Sequence, residues 1–204
     1  MISRRDLLIL SCAVLAGCGR RRFRKLVAGD AILAVGDSLT AGFGAPKGAD
    51  YPAQLAQILG HKVINGGVSG DTSAQALARL PDLLVQKPKL VVVSIGGNDF
   101  LQRQPESGTR ENIRKMVADI RATGVPAVLV AIPHFTTGVL LGMVSEHPLY
   151  AELANELDVP LLQGAWAEIL GDKDLKSDAV HANAAGYRLF AEKLAGFLKK
   201  LGLV

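Results

Sequence analysis

Thiol chemistry is almost absent from this chain, because its two cysteines, Cys12 and Cys18, both lie in the first eighteen residues. Everything after Cys18 is therefore without a disulfide and without a cysteine metal site. Histidine is scarce as well. The four present (His61, His134, His147 and His181) include no His-x-His pair and none beside Gly36-Asp37 or Asn98. A two-metal phosphoesterase centre needs several His and Asp ligands around its ions, so this inventory argues against one. No apolar run reaches the roughly 20 residues that span a bilayer. There is also no internal repeat, low-complexity stretch or linker-like segment that would divide the chain.

Excess basic charge is missing from most of the chain too, although the whole carries a formal +4. Residues 1–25 hold seven Lys/Arg against Asp6 alone, a local +6, which leaves the other 179 residues at −2. The basic charge is a property of the leader, and nucleic-acid binding is not implied. At 204 residues with 49% hydrophobic content, the chain is one domain long and able to bury a core.

The leader has the layout of an export signal: Arg4 and Arg5, an apolar run of eleven residues from Leu7 to Gly17, then Leu15-Ala16-Gly17-Cys18 at its end. That end resembles the lipobox of bacterial lipoproteins, which implies lipidation at Cys18 and cleavage before it. Ser3-Arg4-Arg5-Asp6-Leu7-Leu8 is similar to a twin-arginine export motif, without the lysine that usually follows. The expectation is an export signal over 1–18, a basic tether over 19–28 and a folded domain over 29–204. The tether residues Arg20, Arg21, Arg22, Arg24 and Lys25 would oppose translocation and suit anionic headgroups. The protein is then expected at the periplasmic face of a membrane, or soluble in the periplasm if the signal is otherwise processed.

From Ala31 onward, short apolar runs alternate with amphipathic stretches. Strands are expected at Ala31–Val35, Lys62–Asn65, Leu90–Ile95, Pro126–Ile132 and Val159–Leu162. Helices are expected at Tyr51–Leu59, Thr72–Val85, Asn112–Thr123, Pro148–Leu157 and Asn183–Leu201. Leu-Val-Val-Val-Ser-Ile over 90–95 suits a strand buried on both faces. The alternation implies an α/β fold, a five-stranded parallel sheet in a three-layer α/β/α sandwich. In such sheets ligands bind at the carboxyl ends of the strands. Three polar clusters fall there: Gly36-Asp37-Ser38-Leu39, Ser69-Gly70-Asp71-Thr72 and Gly96-Gly97-Asn98-Asp99. A fourth, Asp178-Ala-Val-His181, precedes the closing helix.

Each cluster also has a plain structural use. Asp37 and Ser38 are good helix caps, Gly70 suits a tight turn, Asn98 a cap or turn, and Asn183 a cap for the last helix. As chemistry, Ser38 is a hydroxyl nucleophile at a strand-to-helix turn, where backbone N–H groups favour negative charge. His181 is a base that titrates near neutrality, and Asp178 an acceptor for its second ring nitrogen. The Ser38 N–H, the Gly70 N–H and the Asn98 amide are donors for an oxyanion.

In order and content, these four blocks resemble those of the SGNH/GDSL hydrolases, over nearly the whole body from Ala31. The likeness is greatest to the bacterial periplasmic thioesterase/lysophospholipase and arylesterase branch. Asn65–Ser73, Leu77-Ala78-Arg79-Leu80-Pro81 and Asp158-Val159-Pro160-Leu161-Leu162 carry it. Ala182 departs from the proline many relatives have there, and Gly67 and Val68 fill variable positions. The resemblance implies an SGNH, flavodoxin-like fold and an esterase that works without metal or cofactor on a small acyl ester or lipid. Its catalytic residues would be Ser38, Asp178 and His181, with Ser38, Gly70 and Asn98 as oxyanion donors. A carbohydrate deacetylase using the same residues, or a lipoprotein that keeps the fold only to bind, are the alternatives. Val139–Val144, apolar and near the expected mouth of the site, reads as an acyl-chain surface or as a short packed helix. Trp166 reads as core or groove wall.

Overall fold

The computed structural model describes residues 24–134 and 144–204. Cys12, Cys18 and the rest of the export signal lie outside these residues, as does all of the Val139–Val144 stretch except Val144.

The described elements run β1 (Ala31–Gly36), α1 (Ser38–Ala41), α2 (Tyr51–Leu59), β2 (Lys62–Gly67), α3 (Ser73–Leu84), β3 (Leu90–Ser94), α4 (Gly97–Leu101), α5 (Glu106–Ala122), β4 (Ala127–Val130), α6 (Leu149–Leu157), β5 (Leu161–Leu162), α7 (Ala165–Gly171), a 3-10 turn (Lys173–Leu175) and α8 (Ala184–Lys200). The five strands form one parallel sheet in the order β2-β1-β3-β4-β5. This is the α/β sandwich expected from the alternation of runs. The chain steps one way from β1 to β2 and the other way from β2 through β5. Right-handed crossovers then put the connecting helices on opposite faces: α2, α7 and α8 pack together, as do α3, α5 and α6.

A helix start at Ser38 was expected and is observed as α1, whereas the short helices α4 and α7 were not, and α5 begins six residues before the expected start at Asn112. Glu106 to Glu111 offers almost no apolar periodicity. Its first turns are tied to α6 instead, where Arg110 pairs with Glu106 and Glu152, and Arg114 with Glu156.

Trp166 belongs to the core. It is fully buried, stacked on Phe190 with centroids 3.8 Å apart, and its indole N–H donates to Ser94 Oγ at 3.2 Å. Burying each large side chain of this kind contributes about 1.5–3 kcal/mol. Because β3 is buried along its whole length, the loops at its carboxyl end stand on a rigid base.

Candidate active site

Strand order reverses between β1 and β3, and the loops that leave these two strands at their carboxyl ends open a crevice there. Ser38 is the first residue of α1, directly after β1. Asp37 caps that helix, accepting a hydrogen bond from Leu39 N–H at 3.0 Å. The cap is made by Asp37, which leaves the Ser38 side chain free of that task. Alpha1 sits hard against the sheet: a Cβ on Gly36 would collide with the Thr40 side chain, and one on Gly67 with the backbone of α1. Gly67, which the sequence reading took for a variable filler, is what lets the serine turn lie on β2.

The Ser38 hydroxyl meets His181 Nε2 at 3.0 Å. On the far side of the imidazole, Nδ1 lies 2.8 Å from Asp178 Oδ2. Asp178 Oδ1 also accepts the backbone N–H groups of Val180 and His181, both at 2.9 Å. The Asp-x-x-His spacing thus closes a tight loop in which one carboxylate fixes both the backbone and the ring. Partial burial works to raise the Asp178 pKa. The Val180 N–H and the His181 side chain outweigh it and hold the carboxyl below its usual range. Asn183 caps α8 by accepting from Gly186 N–H, which fixes where the chain enters that helix just after His181. Phe43 lies over the imidazole with centroids 4.4 Å apart, and its carbonyl accepts the Tyr187 hydroxyl at 2.7 Å.

Gly70 lies in the turn after β2 with φ +88°, a backbone conformation in which a side chain is strained. A Cβ added at Gly70 would meet nothing within 4 Å outside its chain neighbours, so the glycine is there for its backbone angle. The turn is tied at both ends: Val68 N–H donates to Gly36 C=O at 3.1 Å, and Asp71 C=O accepts the Asn98 amide at 2.9 Å. That bond occupies one of the two amide hydrogens of Asn98 and orients the other. Among the described residues, neither the Ser38 N–H nor the Gly70 N–H has an acceptor.

Two residues hold these loops together without a role foreseen for them in the sequence. Arg79 bonds Asp71 at 2.6 Å and donates to the Gly36 carbonyl at 2.8 Å, joining the loops after β1 and β2. Asp99, fully buried, accepts from Ser73 N–H at 2.8 Å, Ser73 Oγ at 2.5 Å and Thr109 Oγ at 3.1 Å. Its position beside Asn98 was the only signal available.

Asp37 is electrostatically unusual. Burial first, and then the charges of Asp71 and Asp99, push its pKa from 3.8 to about 7. His147 lies 3.9 Å from Glu106 and is stacked on Phe100. Burial and neighbouring His134 lower its pKa.

Beside the serine is a cleft of about 70 Å³, lined by Asp37, Ser38, Leu39, Asn98, Leu101 and His181 among others. Leu101, about half exposed, lines it, and Phe43, exposed to a similar degree, lies against His181. A hydroxyl, an imidazole and a carboxylate in one hydrogen-bonded line can pass the hydroxyl proton to the ring. No group of three or more potential metal ligands occurs among the described residues.

A model of the GDSL-like lipase/acylhydrolase family matches residues 34–189. Thioesterase 1/protease 1/lysophospholipase L1 of Escherichia coli (strain K12) is 34% identical over 181 residues, covering 87% of each chain. The arylesterase of Vibrio mimicus is 40% identical over 111 residues, 52% of this chain and 56% of that one. The crystal structure of TesA superposes with a TM-score of 0.74 at 28% identity, over 84% of this chain and 99% of that one.

Proposed function

The chain belongs to the GDSL-like lipase/acylhydrolase family and is an ester hydrolase, and from that premise we propose that it cleaves acyl esters through a covalent intermediate on Ser38. The relay from Ser38 through His181 to Asp178, at 3.0 and 2.8 Å, is the observation that carries this reading.

In the first half-reaction His181 Nε2 takes the Ser38 proton as Oγ attacks the acyl carbonyl. Negative charge builds on the carbonyl oxygen and is met by the N–H groups of Ser38 and Gly70 and the free amide hydrogen of Asn98. The imidazolium, held by Asp178, then protonates the leaving oxygen or sulfur as the tetrahedral species collapses to the acyl-enzyme. In the second half-reaction His181 deprotonates water, which attacks the acyl carbon. Ser38 leaves with the proton returned from Nε2. No step calls on a metal or an organic cofactor.

The acyl or aryl portion of the substrate is apolar. What supports this is the rim made by Leu101 in the cleft wall and Phe43 against His181, apolar side chains left about half exposed beside Ser38. Aryl esters, thioesters and lysophospholipids fit such a rim. Acetylated sugars would leave it unused, and we favour the apolar class over deacetylation for that reason. We propose further that residues 1–18 direct export and that Cys18 is lipidated, which would hold the enzyme at the periplasmic face of a membrane. Cys18→Ala should then block incorporation of labelled fatty acid, and unaltered labelling would contradict it.

The reading is tested with Ser38→Ala. Hydrolysis of a soluble aryl ester should fall by about 10⁴-fold or more while thermal unfolding stays that of the parent. Substantial hydrolysis by a folded Ser38→Ala protein would remove Ser38 from the chemistry.

A further inference from the structure

Five large hydrophobic side chains stand exposed among the described residues. Leu101 lines the cleft, Phe43 lies against His181, and Val68 directly follows β2. Val27 and Val85 lie at the other end of the molecule, Val27 before β1 and Val85 in the connection from α3 to β3. That end, where the strands begin, also holds a groove of about 480 Å³ lined by Arg24, Lys25, Asp30, Lys89 and Arg121 together with apolar and small residues. Lys87, in the same connection as Lys89, adds another exposed cation. The charge concentrated here contrasts with a net −2 over residues 26–204.

We propose that this end of the molecule docks on the surface of an anionic lipid bilayer, with the cleft turned away from it. Helix dipoles account for part of the basic charge, because Arg121, Lys199 and Lys200 sit in the last turns of α5 and α8. They do not account for Lys25, Lys87 or Lys89, or for Arg24, which is 3.8 Å from the single carboxylate of the groove, Asp30; none of the four lies in a helix. Cations interspersed with exposed valines are the composition of an interfacial surface, in which the charges meet lipid phosphates and the apolar groups enter the headgroup boundary. A nucleic-acid face would have no use for the valines. The path of the chain points the same way. Leu26 N–H is bonded to Leu203 C=O at 2.8 Å, so the polypeptide enters the fold at this end. Immediately upstream in sequence are Arg20, Arg21 and Arg22, and before them the apolar run Leu7 to Gly17. The most membrane-seeking stretch of the chain therefore joins the body at its basic end.

Docking in this way sets the orientation of the enzyme. Beta1 carries six residues from the basic end to Ser38, and at about 3.3 Å per residue the two ends are about 20 Å apart. The Debye length at physiological salt is about 8 Å, so the bilayer charge barely reaches the cleft. The protein would take its ester from the aqueous side rather than from the leaflet on which it rests. This inference stands apart from the ester chemistry and survives or fails independently of it.

The test uses the full chain with Arg24→Gln, Lys25→Gln and Lys89→Gln combined. A control replaces Lys47, Arg103 and Lys173, three exposed cations elsewhere, by Gln. Partitioning is measured onto phosphatidylcholine vesicles with and without about 30% phosphatidylglycerol, since a basic residue near such a surface contributes a factor of about five. The parent should prefer the anionic vesicles. The triple variant should lose about 100-fold of that preference, the control little, and all three should hydrolyse a soluble aryl ester equally. A preference that persists in the triple variant, or that falls as far in the control, overturns the proposal. So does binding of duplex DNA through these residues with no preference for anionic vesicles.

Discussion

Replacing Asp37 with Asn should make the protein more stable, and increasingly so as pH rises. Asp37 is 2% exposed, next to Ser38, with Asp71 and Asp99 as charged neighbours. Its pKa of about 7 in the fold, against 3.8 ordinarily, means that the folded state holds the proton more tightly than the unfolded chain does. Below pH 3.8 both states are protonated and the carboxyl costs nothing. As pH rises from there the unfolded chain gives up its proton first, and stability declines until the folded state ionises near pH 7, above which the loss is complete. At 1.36 kcal/mol per pH unit, that window corresponds to about 4 kcal/mol. Asn occupies the same volume and still accepts the Leu39 N–H bond that caps α1, but it has no charge to bury. Urea unfolding of parent and Asp37→Asn at pH 4 and pH 8 isolates the effect, because other titrating groups are common to both. The stability difference should move in favour of the variant by roughly 4 kcal/mol between those pH values. A difference independent of pH would refute the burial argument, and one that moves towards the parent would reverse its sign.

Three further substitutions probe the loops. Asp99→Ala removes the acceptor for Ser73 N–H, Ser73 O–H and Thr109 O–H; at about 1–3 kcal/mol per stranded buried donor, unfolding free energy should fall by about 3 kcal/mol or more. A loss under about 1 kcal/mol would mean that the network closes around other acceptors. Gly70→Ala meets no steric obstacle but strains a backbone at φ +88°, so it should cost about 1–2 kcal/mol in stability. It should also lower kcat by roughly 10-fold to 100-fold as the N–H shifts, and unchanged kcat would take Gly70 out of the oxyanion site. Asn98→Ala should lower kcat by about 10²-fold with KM little altered, whereas a change confined to KM would make Asn98 a binding residue.

Much of the site was legible because each block keeps its chemistry within a few consecutive residues. Gly36-Asp37-Ser38 sits at a strand end that the apolar run over 31–35 already marks, and Asp178-x-x-His181 brings a carboxylate and an imidazole together across three residues. The strand order and the joining of those blocks were not readable residue by residue, since they arise from side chains distant in sequence. Arg79 reaching Gly36, Asn98 reaching Asp71 and Asp99 holding Ser73 span between 26 and 43 residues. The short helices escaped for a different reason. The five residues of α4 cannot display a helical period, and seven-residue α7 is anchored through fully buried Trp166. The first turns of α5 are supported by ion pairs to α6 that only the fold brings within reach.

The central claim is that Ser38 carries the acyl group. It is tested most directly by treating the full chain with a fluorophosphonate and mapping the adduct by peptide mass spectrometry. The account predicts one adduct, on the peptide containing Ser38, with hydrolysis lost in proportion to labelling and no adduct on Ser38→Ala. Labelling retained in Ser38→Ala, or an adduct on another residue that tracks the loss of activity, would contradict it.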